Sequence, residues 1–200
     1  IAFAGAKTTL YEPGMRLPLI VREPGQKRGN RKQDAMISWV DLAPTILDYA
    51  GVDVSNKSLH GRSFRKGISG NLKNWDRVYA SHTNHEATMY YPMRVLKNRQ
   101  YKLIFNIAHG LEFPLAKDLL QSPTWVSMQK NGLKLYGKRT PEALLHRPRI
   151  ELYDLQSDPH EVVNLSKDPR YASIRVSMIA QLKAFQADTQ DPWAIKWERE

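Results

Sequence analysis

Behind an Asp168-Pro169 pair, Tyr171, Ile174, Met178, Leu182 and Phe185 recur at steps of three, four, four and three. That spacing places five large apolar side chains on one stripe of a helix, with Asp as N-cap and Pro at the first helical position. Such a stripe must be covered, and the chain offers a matching surface upstream. Residues 77–81, 89–96 and 100–106 are short runs rich in Tyr, Val, Leu and Ile, and Lys97-Asn98-Arg99 reads as a hairpin turn. Residues 151–155 (Glu-Leu-Tyr-Asp-Leu) read as a further strand, followed by a turn at Ser157-Asp158-Pro159-His160. The tail Asp191-Pro192-Trp193-Ala194-Ile195-Lys196-Trp197 has too few apolar neighbours to fold alone and is expected to lie across this unit. The second half of the chain is therefore expected to be an antiparallel sheet packed on a C-terminal helix.

The first part reads differently, as the end of an α/β unit. Residues 17–21 (Leu-Pro-Leu-Ile-Val) suit a short buried strand starting near a sheet rim, and 26–32 a polar loop. Met36, Trp39, Val40, Ala43, Ile46, Leu47 and Ala50 then fall at helical steps. The N-cap is Asp34 or Ser38, Pro44 marks either a kink or a late start, and Gly51 ends the helix. Residues 52–74 are mainly polar and end in Gly67-Ile68-Ser69-Gly70-Asn71, which places a boundary between a unit of 1–72 and one of 73–200. A helix over 115–128, interrupted by Pro123, and a long basic connection over 132–149 complete the outline. There is no internal repeat.

Composition narrows the function classes. The 200 residues are 42% hydrophobic and 25% charged, ordinary for a globular protein, and no apolar run approaches the roughly 18 residues of a membrane-spanning helix. Cysteine is absent, which excludes disulfides, thiolate metal sites and cysteine nucleophiles from these residues. The start at Ile1, without Met or a signal-like segment, is expected of a piece of something longer. The net charge of +10 is concentrated: residues 1–72 hold eleven basic and six acidic side chains, and 129–149 six basic and one acidic. One reading of this is a stand-alone basic module for polyanions, either sulfated glycan or nucleic acid; the other is a solubilising surface.

Phosphate-loop, nucleophile-elbow and zinc-helix patterns are missing. His82-Thr83-Asn84-His85-Glu86 gathers two imidazoles and a carboxylate after a predicted strand, a spacing better suited to hydrogen bonding than to zinc. Lys7 precedes a compact turn, and its ammonium is a point charge with three donors, able to meet a tetrahedral anion. On pattern alone an exposed lysine is usually a solvated surface lysine.

Lys7-Thr8-Thr9-Leu10-Tyr11-Glu12-Pro13-Gly14-Met15-Arg16-Leu17-Pro18 resembles the segment of sulfatases that follows their Asp-Asn-Gly metal motif, and Ser38-Trp39-Val40-Asp41-Leu42-Ala43-Pro44-Thr45-Ile46-Leu47 the helix after it. Leu59-His60-Gly61-Arg62-Ser63, Glu151-Leu152-Tyr153-Asp154-Leu155, Asp158-Pro159-His160-Glu161 and Asn164-Leu165 are similar to later segments of the same family. Residues 81–94 (Ser-His-Thr-Asn-His-Glu-Ala-Thr-Met-Tyr-Tyr-Pro-Met-Arg), Phe113-Pro114, Ser122-Pro123-Thr124 and Asp191-Pro192-Trp193 resemble the heparan N-sulfatase branch, the sulfamidases or N-sulfoglucosamine sulfohydrolases. That branch has Arg where this chain has Lys7.

The resemblance implies an alkaline-phosphatase-like α/β sulfatase domain, of which 1–72 would be the C-terminal end, followed by a smaller α+β subdomain over 73–200 with an antiparallel sheet packed on a C-terminal helix. It implies hydrolysis of sulfate esters or N-sulfates (sulfamates) on a sulfated sugar such as N-sulfoglucosamine. Lys7 would contact the substrate sulfate, His85 and Glu86 would bind the sugar, and Arg94 would brace the sheet. Formylglycine and Ca2+ belong to the family, but the Cys/Ser-x-Pro-x-Arg motif and the metal ligands are not in this sequence, so these residues alone are expected to be inactive. An extracytoplasmic setting (periplasmic, secreted or lysosomal) follows, with a sulfated carbohydrate or small sulfate as partner, and no nucleic acid or membrane. The oligomeric state stays open, with a homodimer among the options. A related phosphodiesterase or phosphonate hydrolase is the neighbouring alternative.

Overall fold

The computed structural model describes residues 4–23, 25, 29, 32–54, 58–68 and 74–199. The chain divides into two compact units, one of Ile1–Leu17 with Tyr79–Glu200 and the other of Pro18–Val78. In chain order the elements are α1 (Glu12–Met15), α2 (Leu42–Tyr49), α3 (Arg65–Ile68), β1 (Arg77–Asn84), β2 (Tyr90–Asn98), β3 (Tyr101–Asn106), α4 (Lys117–Leu120), α5 (Pro123–Lys130), α6 (Pro141–Leu145), β4 (Ile150–Asp154) and α7 (Ala172–Asp188). Short 3-10 turns cover Trp39–Asp41, Pro169–Tyr171 and Pro192–Trp197. Among the described residues no helix is long and apolar enough to cross a membrane.

The expected sheet is present, with four strands in the order β1-β2-β3-β4. β2 pairs antiparallel with β3, and β3 with β4. The register aligns Leu96, Leu103 and Leu152 across three strands, and Val95, Ile104 and Glu151 in the next row. Because side chains alternate along a strand, these rows point to opposite faces. One face, with Leu96, Leu103, Phe105 and Leu152, is covered by Met178 and Leu182 of α7, with Ile174 and Trp197 packed around them. Asp168 caps the entry to this helix by accepting from the Arg170 N–H at 2.9 Å, as its sequence predicts. The tail lies where it was expected: Trp197 stacks on Phe105, with ring centroids 3.7 Å apart.

The other face carries Met93, Val95, Ile104 and Tyr153 and is covered by Leu10, Tyr11, Phe113, Leu119, Trp125, Met128, Tyr136 and Leu144. These come from segments with weak periodicity. Pro123 does not interrupt one helix there; it opens α5 at the first helical position, with Ser122 accepting from the Trp125 N–H. The basic connection is less extended than its composition suggests, since α6 folds within it behind a Thr140 cap.

The unit Pro18–Val78 has a small core of Phe64 and Trp75 with Val21, Ala35, Ile37, Leu42 and Ile68 around them. The helix expected from Met36 begins later, through the 3-10 turn Trp39–Asp41, and Pro44 sits in the first turn of α2, where it breaks no hydrogen bond. Gly51 ends it with φ +73°. Residues 17–21 are not a strand, and Ile20 is 93% exposed. A pentapeptide becomes a strand only with a ladder partner, and 17–21 is not paired in the described sheet. Most of the 26–32 loop and the Ser69-Gly70-Asn71 end of the glycine-rich run lie outside the described residues.

Candidate functional site

Lys7 stands in a turn ahead of α1. Thr8 has φ +66°, and the Thr9 hydroxyl donates back to the carbonyls of Gly5 and Ala6, at 2.5 and 3.0 Å. The loop closes against Gly14, where a Cβ would lie 2.4 Å from the carbonyl oxygens of Ala6 and Thr9, so only glycine admits this approach. Lys7 Nζ meets Asp118 Oδ2 at 2.8 Å, and both side chains are partly exposed. The lysine hydrogen bond holds the Asp118 carboxyl below its ordinary value. An ammonium has three donors, so a single carboxylate oxygen leaves capacity for an incoming anion.

Below Lys7 the same segment is fastened to the sheet by charge. Lys102, fully buried on β3, pairs with Glu12 at 2.7 Å and with Glu161, also fully buried, at 2.6 Å, and donates to the Leu10 carbonyl at 3.2 Å. Lys97 Nζ reaches both Glu12 oxygens at 2.6 and 2.7 Å. The Glu12 backbone N–H donates to Glu161 Oε2 at 2.6 Å. Burial favours the neutral form of Glu12, yet Lys102 and Lys97 outweigh it and its carboxyl lies below the ordinary value. For Glu161 burial prevails over Lys102, and its carboxyl is raised. Two cations and two carboxylates thus lock the Tyr11-Glu12-Pro13-Gly14 segment onto β2, β3 and the turn at Glu161.

Beside this, the Tyr11 hydroxyl donates to Glu151 Oε2 at 2.8 Å, the Tyr153 hydroxyl donates to the same oxygen, and Asn106 donates to Glu151 Oε1 at 2.6 Å. Burial and then the Glu151 charge push both phenols up. Arg139 lies over the Tyr11 ring at 3.7 Å and Arg147, buried, over Phe113 at 3.5 Å. Arg149 donates to the Lys196 carbonyl at 3.0 Å. Half of the cations in the basic stretch 129–149 are therefore engaged inside the unit; Lys130, Lys134 and Lys138 remain exposed.

His85 and Glu86 lie together in the exposed turn between β1 and β2. His82, at the root of the turn, places Nδ1 3.1 Å from the Tyr91 carbonyl oxygen. That oxygen can only accept, so Nδ1 carries the proton, and burial holds the imidazole below its ordinary pKa. Arg94 braces the same place, as its expected structural role requires: it donates to the His82 carbonyl at 3.1 Å and forms a two-pronged pair with Asp191, at 2.5 and 2.8 Å. Among the described residues no hydrogen bond or ion pair joins Lys7 to His85 or Glu86, so each stands at its own place in the unit.

Among the described residues no group of three or more His, Asp or Glu is arranged to hold a metal ion. His82, His85 and Glu86 do not form such a group, and the described residues offer no ligand set for the calcium that sulfatases imply, so no step is routed through it.

In the other unit, the resemblance segment around His60-Gly61-Arg62-Ser63 has a structural role. A Cβ on Gly61 would lie 2.0 Å from the Val40 carbonyl oxygen. Asp41 accepts from the backbone N–H groups of Ser38 and Arg62, at 2.8 and 3.0 Å, tying this segment to the start of α2.

Comparison with known proteins places the chain in a family. The family described as N-sulphoglucosamine sulphohydrolase, C-terminal, matches residues 5–130. Human N-sulphoglucosamine sulphohydrolase is 35% identical over 96% of this chain and 41% of its own length. An ulvan-active sulfatase of Formosa agariphila is 28% identical over 88% of this chain and 29% of its own. Among solved structures, one titled as a 2-O GAG sulfatase superposes with a TM-score of 0.51 at 22% identity, over 76% of this chain and 25% of that one, a likeness of fold. The chain belongs to the sulfatases, in the N-sulphoglucosamine sulphohydrolase C-terminal family. It spans about two fifths of the length of the human relative.

Proposed function

We propose that the protein carrying this chain is a sulfatase that hydrolyses sulfate ester or N-sulfate groups on a sulfated sugar, with N-sulfoglucosamine as the leading substrate. The observation that carries this reading is the 35% identity to the human sulphohydrolase over 96% of the chain. In this reading residues 1–72 end an alkaline-phosphatase-like α/β catalytic domain and 73–200 form its C-terminal subdomain. The nucleophile and metal ligands that the family uses would be held by residues other than these, in an extracytoplasmic compartment.

Lys7 then supplies one fixed positive charge to the sulfate. Anchored by buried ion pairs and held at its tip by Asp118, it needs little reorganisation when negative charge develops on the departing group. His85 and Glu86 offer an imidazole and a carboxylate to sugar hydroxyl or nitrogen groups. An exposed turn that offers these hydrogen-bonding groups suits a hydroxyl-rich ligand.

The test is a substrate panel on the intact natural protein: N-sulfoglucosamine, glucosamine 6-O-sulfate and a phosphodiester such as bis(p-nitrophenyl) phosphate. Release of inorganic sulfate from the N-sulfate with the highest kcat/KM is expected. Preference for the phosphodiester would replace this reading by the phosphodiesterase alternative.

A further inference from the structure

Arg94 spends four of its five N–H donors inside the protein. Nε and Nη2 hold the two oxygens of Asp191, and Nη1 donates to the carbonyls of Met93 and His82, at 2.8 and 3.1 Å. Arg94 and Asp191 are both nearly buried, with side chains 8% and 11% exposed. Asp191 is itself fixed: Gln186, fully buried on α7, donates to its Oδ2 at 2.9 Å, and the Trp193 N–H donates to Oδ1 at 3.1 Å. Gln186 in turn accepts from the Trp197 indole at 2.6 Å. The Tyr90 ring, at the start of β2, stands 5.8 Å from the Trp193 ring.

This clamp closes at one place on the sheet. The His82 carbonyl that Arg94 grips lies three residues before His85, and the His82 ring bonds across to the Tyr91 carbonyl on the returning strand. The excursion 83–90 therefore leaves from and returns to a pinned root, while His85 and Glu86 at its tip are exposed and make no hydrogen bond to side chains of the body among the described residues. On the returning side Met89 is buried in the core and its N–H donates to the Glu86 carbonyl at 2.9 Å, so the tip is held through the root and through Met89. A planar fork is what such a root needs, because it grips a carboxylate with two prongs and a carbonyl with the third in fixed directions.

We propose that Arg94 and Asp191 are positioning residues, which set the place of the 83–90 turn and through it the contact of His85 and Glu86 with the sugar of the substrate. The substrate part of this rests on the sulfatase reading above; the control of the turn does not. The C-terminal tail, remote in sequence from the turn, thereby tunes sugar binding.

The experiment uses the intact natural protein with Asp191→Asn and, should that variant fail to fold, Arg94→Lys, which keeps the charge and loses the fork. Amide hydrogen exchange over 83–88 is expected to rise about tenfold while β3 keeps its protection. KM for N-sulfoglucosamine is expected to rise about tenfold with a smaller change in kcat, and Asp191→Asn should add little in a His85→Ala, Glu86→Ala background, since residues acting through one another are not additive. Exchange over 83–88 that stays at the wild-type rate, or rises no more than the rest of the sheet, would overturn the proposal. So would a KM effect undiminished in the double-alanine background. If His85→Ala, Glu86→Ala leaves KM unchanged, the pocket assignment fails, and exchange alone then decides the clamp.

Discussion

The two faces of one sheet solve the same burial problem by different chemistry. Under α7, Leu96, Leu103, Phe105 and Leu152 meet Met178, Leu182 and Trp197, an apolar contact in which a regular helix supplies the cover. On the opposite face, the same strands point Lys102, Asn106 and Glu151 into the interior, and the cover is an irregular segment carrying Tyr11 and Glu12. Apolar burial is non-directional and tolerates any well-shaped partner, whereas a buried ion must meet specific atoms or lose several kcal/mol. Charge on this face fixes a loop in register, as the Arg94–Asp191 pair does at the end of the α7 face, and that loop carries Lys7. The difference teaches that the segment resembling the sulfatase motif is mainly an anchor: of its residues, Tyr11, Glu12 and Gly14 hold the place, and Lys7 presents a partly exposed cation paired with Asp118.

The contrast can be broken most severely at its ionic centre. Lys102→Met leaves Glu12 and Glu161 buried near one another without their shared cation, and is expected to cost about 3–5 kcal/mol in urea unfolding. Leu103→Ala, its neighbour on the apolar face, is expected to cost about 3 kcal/mol through lost transfer energy and a cavity.

A sharper separation lies in pH. The carboxyl of Glu12 is depressed in the fold, so its contribution is present above the ordinary value of 4.5 and is lost as pH falls through the folded value. Glu161 is raised, so the folded state binds its proton more tightly than the unfolded chain does; that contribution is present below 4.5 and is lost as pH rises through the folded value. Glu12→Gln should therefore flatten the acid side of the stability profile and Glu161→Gln the slope above it, while Leu103→Ala should lower the whole profile without changing its shape. A Leu103→Ala profile that changes slope would mean that the two faces are coupled. The smallest effect is expected at the surface pair: Asp118→Asn should leave the unfolding midpoint unchanged, because exposed ion pairs contribute little.

What the sequence revealed follows the same division. The α7 stripe and the β2–β3 hairpin are encoded by local periodicity, and the structure has both. The 17–21 run has the composition of a buried strand, but a strand is a property of its neighbours, and Ile20 is exposed. The ionic network was hidden because Glu12, Lys102 and Glu161 are far apart in the chain. A signal did exist: Lys102 occupies an inward position in Tyr101-Lys102-Leu103-Ile104-Phe105, in phase with Ile104, and Glu151 does the same on β4. A charge in the inward phase of an apolar strand announces a buried partner. For the candidate site, Lys7, His85 and Glu86 are candidates that the sequence alone offers, whereas Asp118 and the Arg94–Asp191 clamp needed the three-dimensional arrangement.

The most direct test of the sulfatase account is inorganic sulfate release from N-sulfoglucosamine by the intact natural protein, wild type against Lys7→Ala. A fall in kcat/KM of about 100-fold or more, the scale of losing one preorganised electrostatic donor, is the expected result. Wild-type kcat/KM in Lys7→Ala would contradict the account, since its anchored loop would then serve some purpose other than holding a cation to the sulfate.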